Sequence, residues 1–379
     1  MKQGQPSLAS SSSGEGNRFH ELDSMRGVAA LIVLFHHYAY MFYPQIMTGA
    51  SLKGALLYPL LAGHESVMFF FLLSGFVLSL PFLRGKCQPY PTFISRRVLR
   101  IYGPYLGALA LAIAGCALYH NRLGSTGWAA GTWFQPVRWS SVRDHLLFIG
   151  DYNYSEYNTA FWSLVYEMRI SLIFPFMFLL ADRIKLRYTL AVILLCTLVG
   201  ARFDNLLFIT IEYIAVFFMG ILLAKSYVPL SAKYLRSSRW WKVLLAFAST
   251  ALYLGGHRLA EARLFWRLGD IPIAIGAAGL LLIGANSRVP RTILLSKGPS
   301  FLGRISYSLY LVHTTVLFAM AAALHGKIDN LTFFVSYVPL AIFLSWLFYL
   351  AVEEPFTHLS RKVGRRSSSR EREQSAVAG

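Results

Sequence analysis

Charge is scarce in this sequence. Asp, Glu, Lys and Arg make up 14% of its 379 residues, roughly half of the ~25% found in an average soluble domain. That share is too small to coat a water-facing surface around a core of this size, which excludes an ordinary soluble globular protein. Cysteine is scarcer still. Cys87, Cys116 and Cys196 sit in or beside apolar runs without paired or metal-ligand spacing, so neither a disulfide framework nor a zinc site is indicated. No alternating ten-residue pattern runs along the chain, which excludes an outer-membrane barrel. Acid is short relative to base, with 18 Asp and Glu against 36 Lys and Arg. The net charge of +18 does not point to nucleic acid, because the basic residues gather in alternate loops between apolar runs.

What is present is hydrophobic. Apolar residues make up 55% of the chain, the mean hydropathy is +0.48, and apolar stretches near the ~20 residues needed to cross a bilayer recur throughout. The expected fold is all-α, a polytopic bundle of about ten transmembrane helices embedded in the lipid bilayer. The expected spans are 26–44, 64–83, 100–119, 161–181, 188–201, 206–224, 240–255, 271–286, 305–324 and 332–352. With the N-terminus inside, the inside loops hold roughly twice as many Lys and Arg as the outside loops, which predicts a multi-pass inner-membrane protein with both termini cytoplasmic. Residues 1–17 form a polar lead expected to be disordered. It does not read as a signal peptide, since the apolar segment after it is too long and no small-residue cleavage site follows. Residues 359–379 form a basic cytoplasmic tail, too short for a second, soluble catalytic domain.

The first span carries unusual cargo: Arg26 and the pair His36 and His37 inside an otherwise apolar run. At about 100° per residue, eleven residues bring Arg26 and His37 within roughly 20° of one face, ~16 Å apart along the axis, with His36 about 80° away. Ionisable groups at membrane depth face the protein interior or a wet cavity. An arginine snorkelling to the headgroups and two histidines held by neighbouring helices would explain the same residues.

Other polar residues recur along the spans. His64 and Glu65 stand at the outer end of the second span, and Ser74 with Gly75 lies near its middle, where small residues let helices approach closely. Arg96, Arg97 and Arg100 gather at the cytoplasmic mouth of the third, where planar guanidinium forks suit phosphate and would equally serve topology and anionic lipid. The fourth span places Ser163 and Glu167 one turn apart, followed by Arg169. Its register brings Glu167 and His37 to a common depth in the outer half of the bilayer. In the ninth, Ser306, Tyr310 and His313 form one polar stripe that reads as an interhelical hydrogen-bond seam. The last span ends at Glu353, Glu354 and Pro355, with the proline expected to stop the helix and a glutamate to partner arginine. The outer loop at about 120–160 carries Trp128, Trp133 and Trp139 with Arg122, Arg138 and Arg143. It suits either interfacial anchoring or a lid over an acceptor site.

Six stretches in order, Arg26 with His37, FFFLLSGF, RRVLRIYGP, WSLVYE, ISYSLYLVH and EEPF, resemble the acyltransferase-3 family of integral-membrane O-acyltransferases, which includes O-antigen acetylases and antibiotic and nodulation-factor acyltransferases. The resemblance runs from Leu22 to Phe356, within a transmembrane acyltransferase domain at 18–358. It implies an acyl-CoA co-substrate on the cytoplasmic side, no permanently bound cofactor, no metal, and an acceptor hydroxyl reached from the outer side. Carried over, His37 is the catalytic histidine with Arg26 as companion, Glu167 the membrane-embedded glutamate, and Arg96, Arg97 and Arg100 the donor-binding cluster. Supporting roles fall to His36, Ser74, Ser163, Ser306, Tyr310, His313 and Glu353. Ile170–Ser171 departs from the Phe-Tyr common in the family and bears on the shape of the pocket.

The resulting expectation is transfer of a small acyl group, most simply acetyl, to a hydroxyl of a carbohydrate or glycolipid acceptor. An alcohol attacking a thioester needs a base with a pKa near 7, which histidine supplies. An acceptor that is a secreted small molecule or a lipid fits the same residues. So does direct transfer or an acyl-histidine intermediate. Two rivals are a transporter with an intramembrane proton relay, although no internal repeat is found, and a non-enzymatic scaffold, which would have no use for His37 aligned with Arg26.

Overall fold

The computed structural model describes residues 19–47, 52–123, 127–148, 152–203, 205–259, 266–324 and 326–363. The expected lead at 1–17 and most of the tail at 359–379 lie outside the described residues. Fourteen α-helices and no strand occur among the described residues. The first five are α1 (His20–Phe42), α2 (Pro44–Met47), α3 (Leu52–Leu61), α4 (Gly63–Leu83) and α5 (Tyr90–Tyr119). A short α6 (Trp139–Leu147) lies in the long loop, followed by α7 (Trp162–Arg183), α8 (Leu186–Gly200), α9 (Leu206–Arg236) and α10 (Arg239–Leu259). The chain continues with α11 (Asp270–Asn286), α12 (Arg288–Leu294), α13 (Lys297–Leu324) and α14 (Asn330–Phe348).

Each of the ten expected spans coincides with a helix, and the protein is an all-α, multi-pass membrane protein. Six helical stretches among the described residues are long and apolar enough to cross a bilayer, seven if α11 and α12, bent by 87°, count as one span. The other three expected spans do not meet that standard. α1 carries Arg26, His36 and His37, α8 has only 15 residues, about 22 Å against a ~30 Å core, and α10 opens on Arg239 and Lys242.

The lipid-facing sides follow the helical period. On α7, Leu172, Ile173, Phe176, Leu179 and Leu180 are exposed while Phe174, Phe178 and Ala181 are buried, one apolar face turned outward and one inward. α1 occupies the middle of the bundle and packs most extensively on α13. Glycine makes that contact possible: a Cβ on Gly303 would lie 2.5 Å from the Asp23 carbonyl oxygen, and one on Gly27 would strike the Gly303 backbone.

Pro355 does not stop the last helix. The chain turns through a π segment at Tyr349–Glu353, in which the Glu354 N–H bonds back to the Tyr349 carbonyl, and helix resumes to Val363. A proline inside a helix has no N–H to give and its ring crowds the carbonyl four residues earlier. Widening the preceding turn relieves both faults.

Candidate active site

One cavity, of about 140 Å³, opens between α1, α4, α5, α7, α13 and the π segment. A single water needs only ~10–15 Å³, so there is room for a chain of waters or a small acyl arm. Arg26, Arg97, Arg100, Ser74, Ser163, Glu167, Ser306, Tyr310 and Glu353 all reach it. Three arginines face two carboxylates, which gives the wall one positive charge in excess.

The arginines differ in how they are held. Arg97 Nη2 donates to Glu167 Oε1 at 3.2 Å and to Ser171 Oγ at 2.9 Å, while its buried Nε finds no partner among the described residues. Ser74 Oγ donates to the same glutamate oxygen at 3.2 Å. Ser171 thus helps to seat Arg97. Among the described residues Arg26 has only a long 3.5 Å contact, with Asp23. Arg100 is exposed and carries no hydrogen bond among the described residues, which leaves its fork open to a ligand. Arg96 does not line the cavity; its carbonyl accepts from Ser360 Oγ at 3.1 Å. Glu353 accepts from the Ser308 N–H at 3.0 Å and from its hydroxyl at 2.5 Å, so the glutamate reaches α13 before any arginine.

At the other end of the cavity Ser163 and Tyr310 close the polar lining. Tyr310 donates to the Ala160 carbonyl at 3.1 Å, so the Ser163 hydroxyl donates to Tyr310 across 2.6 Å. Phe70 packs edge-on against Tyr310. Beyond them stand the histidines. His37 is buried, with Nδ1 2.7 Å from His313 Nε2 and its ring near-parallel to Trp128, ring centres 4.9 Å apart. His36 points elsewhere, its Nδ1 2.6 Å from the Leu61 carbonyl, which ties α1 to the end of α3.

The expected meeting of Glu167 with His37 is not found. Glu167 serves Arg97 and Ser74, and Ser163, one turn earlier on α7, bonds Tyr310. Arg26 and His37 likewise do not share the cavity, since His37 is not among its lining residues. Arg169 donates to the Phe148 carbonyl at 3.0 Å and leaves Glu167 to Arg97.

The long loop forms a wall. Trp133 is fully buried, its indole donating to the Tyr157 carbonyl at 2.9 Å. Asn158 Nδ2 donates to the Leu311 carbonyl at 3.0 Å and to Thr315 Oγ1 at 3.1 Å, and Thr314 Oγ1 donates to Asn158 Oδ1 at 2.6 Å. These bonds attach the loop to α13 on both sides of His313, and Trp128 of the same loop lies over His37. Trp139, by contrast, is 73% exposed. His145 in α6 bonds the Ser141 carbonyl at 2.9 Å, and burial lowers its pKa, so it supports the loop as a neutral group.

A second polar group lies at the start of α4, where His64 Nε2 is 2.7 Å from Asp270 Oδ1 and Glu65 accepts from Tyr58 at 2.5 Å. No group of three metal-ligating side chains suited to a metal occurs among the described residues.

A helical membrane bundle with a cationic internal cavity beside a buried histidine pair is the class that fold and site define. The acyltransferase-3 family model, an acyltransferase domain, matches residues 19–350. The chain belongs to that family and is a membrane acyltransferase. No curated relative and no solved structure matches it.

Proposed function

We propose that the protein is an acyl-CoA-dependent O-acyltransferase of the inner membrane, with both termini cytoplasmic. It moves an acetyl or similarly small acyl group to a hydroxyl of a sugar-containing acceptor. The observation that carries this reading is the convergence of Arg26, Arg97 and Arg100 on one cavity that leads towards His37. Arginine forks bind phosphate through charge-assisted bonds. A donor with its phosphates at that end needs a slender flexible arm to bring its thioester to the histidine, ~16 Å further along α1. Pantetheine is such an arm.

In this reading His37 Nε2 takes the proton of the acceptor hydroxyl as its oxygen attacks the thioester carbonyl. The new C–O bond forms the ester, the C–S bond breaks, and the proton passes from His37 to the departing thiolate to give free coenzyme A. General-base help of this kind is typically worth 10²–10⁴ in rate. Tyr310 lines the cavity and its ring centre is 6.0 Å from that of His313, so the arm enters by displacing its side chain. The loop wall at Trp128 is the side from which the acceptor approaches.

The test is thiol release from acetyl-CoA by the purified, full-length protein in nanodiscs, with and without a panel of glycan and glycolipid acceptors. Release that depends on His37 and is accelerated by a glycan is the expected result. A folded protein that binds no acetyl-CoA and releases no thiol would overturn the reading.

A further inference from the structure

The bond between His37 and His313 has a direction that the chain itself sets. His313 Nδ1 lies 2.9 Å from the Leu309 carbonyl oxygen. A carbonyl can only accept, so Nδ1 carries the proton, and a neutral imidazole has just one N–H. His313 Nε2 is therefore bare. It lies 2.7 Å from His37 Nδ1, which must then be the donor. The ring planes differ by 13° and the ring centres are 5.0 Å apart. That separation exceeds the N–N distance by about one ring width, so the bond runs edge to edge in the common plane of the rings. His37 Nε2 is left with its lone pair and no hydrogen bond among the described residues.

From this geometry we propose that His313 is a positioning residue for acyl transfer, holding His37 in the Nδ1–H tautomer with Nε2 bare; the inference rests on His37 being the base. The role needs a rigid acceptor on α13. His313 is fully buried, its carbonyl accepts from the Tyr337 hydroxyl at 3.1 Å, and Asn158 grips the flanking Leu311, Thr314 and Thr315. The close α1–α13 approach at Gly27 and Gly303 secures the opposite side of the bond. In many hydrolases a carboxylate orients the catalytic histidine. Glu167, the carboxylate expected at the depth of His37, is engaged instead by Arg97 and Ser74. A neutral imidazole supplies the same directional acceptor without placing another charge inside the membrane, where charge is costly. When Nε2 takes the acceptor's proton, Nδ1–H stays bonded to His313 and the ring does not rotate away.

Nitrogen NMR of the full-length protein in nanodiscs, labelled at histidine nitrogen, reads the tautomer directly. The His37 signals are assigned by their loss in His37→Asn. The expected spectrum has the proton on Nδ1 and a bare Nε2. His313→Leu should release His37 into both tautomers and lower kcat for thiol release from acetyl-CoA by ~10²-fold, with KM unchanged. His313→Gln, whose side-chain oxygen can replace Nε2 as acceptor, should restore most of that kcat. A proton on Nε2 in the unaltered protein would overturn the proposal. So would a folded His313→Leu with full kcat, or a folded His313→Gln as impaired as His313→Leu. If His313→Leu does not insert, the unaltered protein's spectrum and His313→Gln decide. Absence of any turnover by the unaltered protein would remove the acyl-transfer reading instead, and the spectrum would still settle the tautomer.

Discussion

Arg97 and Glu167 meet across the cavity wall at 3.2 Å, with only 13% and 21% of their side chains exposed. Removing one member of so enclosed a pair leaves the other charge without compensation, a change typically worth ~3–5 kcal/mol. Arg97→Ala should therefore lower the melting temperature markedly, by about 3 kcal/mol of stability. Adding Glu167→Gln should restore much of the loss, because the stranded charge is gone. Melting curves of the two variants check this, and an Arg97→Ala protein as stable as the original would show that solvent in the cavity already screens the pair.

Arg100 should behave in the opposite way. It is exposed, lines the cavity and has no hydrogen bond among the described residues, so Arg100→Ala should leave the melting temperature within about 0.5 kcal/mol of the original. Its effect should fall on the donor: KM for acetyl-CoA rises by ~10-fold or more as charge-assisted phosphate bonds disappear. Lysine should recover only part, lacking the planar fork. An unchanged KM would return Arg100 to a role in topology.

Much of this arrangement was legible in the sequence. All ten apolar segments are helices, and the stripe of Ser306, Tyr310 and His313 does line one face of α13. Arg97 and Arg100, one turn apart, both reach the cavity. Relations between helices were less legible, because helical period gives the direction of a side chain around its own axis and nothing about how far neighbouring helices slide. Glu167 and His37 are displaced in just this way. Pro355 is a second case: proline's effect depends on whether the turn before it can widen, which local rules do not say. Trp128 is a third. Its ring lies over His37, about 90 residues earlier in the chain, a contact with no local signal.

Membrane orientation is open to direct measurement. The excess of Lys and Arg in alternate loops predicts that the C-terminus is cytoplasmic and that the loop carrying exposed Trp139 lies outside. Reporter fusions after Gly379 and beside Trp139 should report opposite sides. The same side for both would mean that an odd number of the seven expected spans between the two fusion points, with α8 and α10 the first to consider, does not cross.

The adjacent histidines of α1 should separate stability from turnover. His36 Nδ1 is 2.6 Å from the Leu61 carbonyl, and its ring sits where a Cβ on Gly63 would fall, so it is a strut between α1 and the α3–α4 junction. A single hydrogen bond of this type contributes about 1 kcal/mol. His36→Ala should lower the melting temperature accordingly, with some further loss of packing, and leave kcat within a few-fold. His37 has its Nδ1 engaged by His313 and its Nε2 unbonded, the arrangement of a base. His37→Ala should remove 10²–10⁴ in rate, equivalent to ~3–6 kcal/mol of transition-state stabilisation. Binding of acetyl-CoA should survive, since His37 does not line the arginine cavity and Arg26 lies ~16 Å away along α1. Both substitutions are assayed for thiol release with acetyl-CoA binding measured in parallel. Full turnover in His37→Ala beside a dead but well-folded His36→Ala would exchange the two roles, and the base would then lie on the α3–α4 side of the helix.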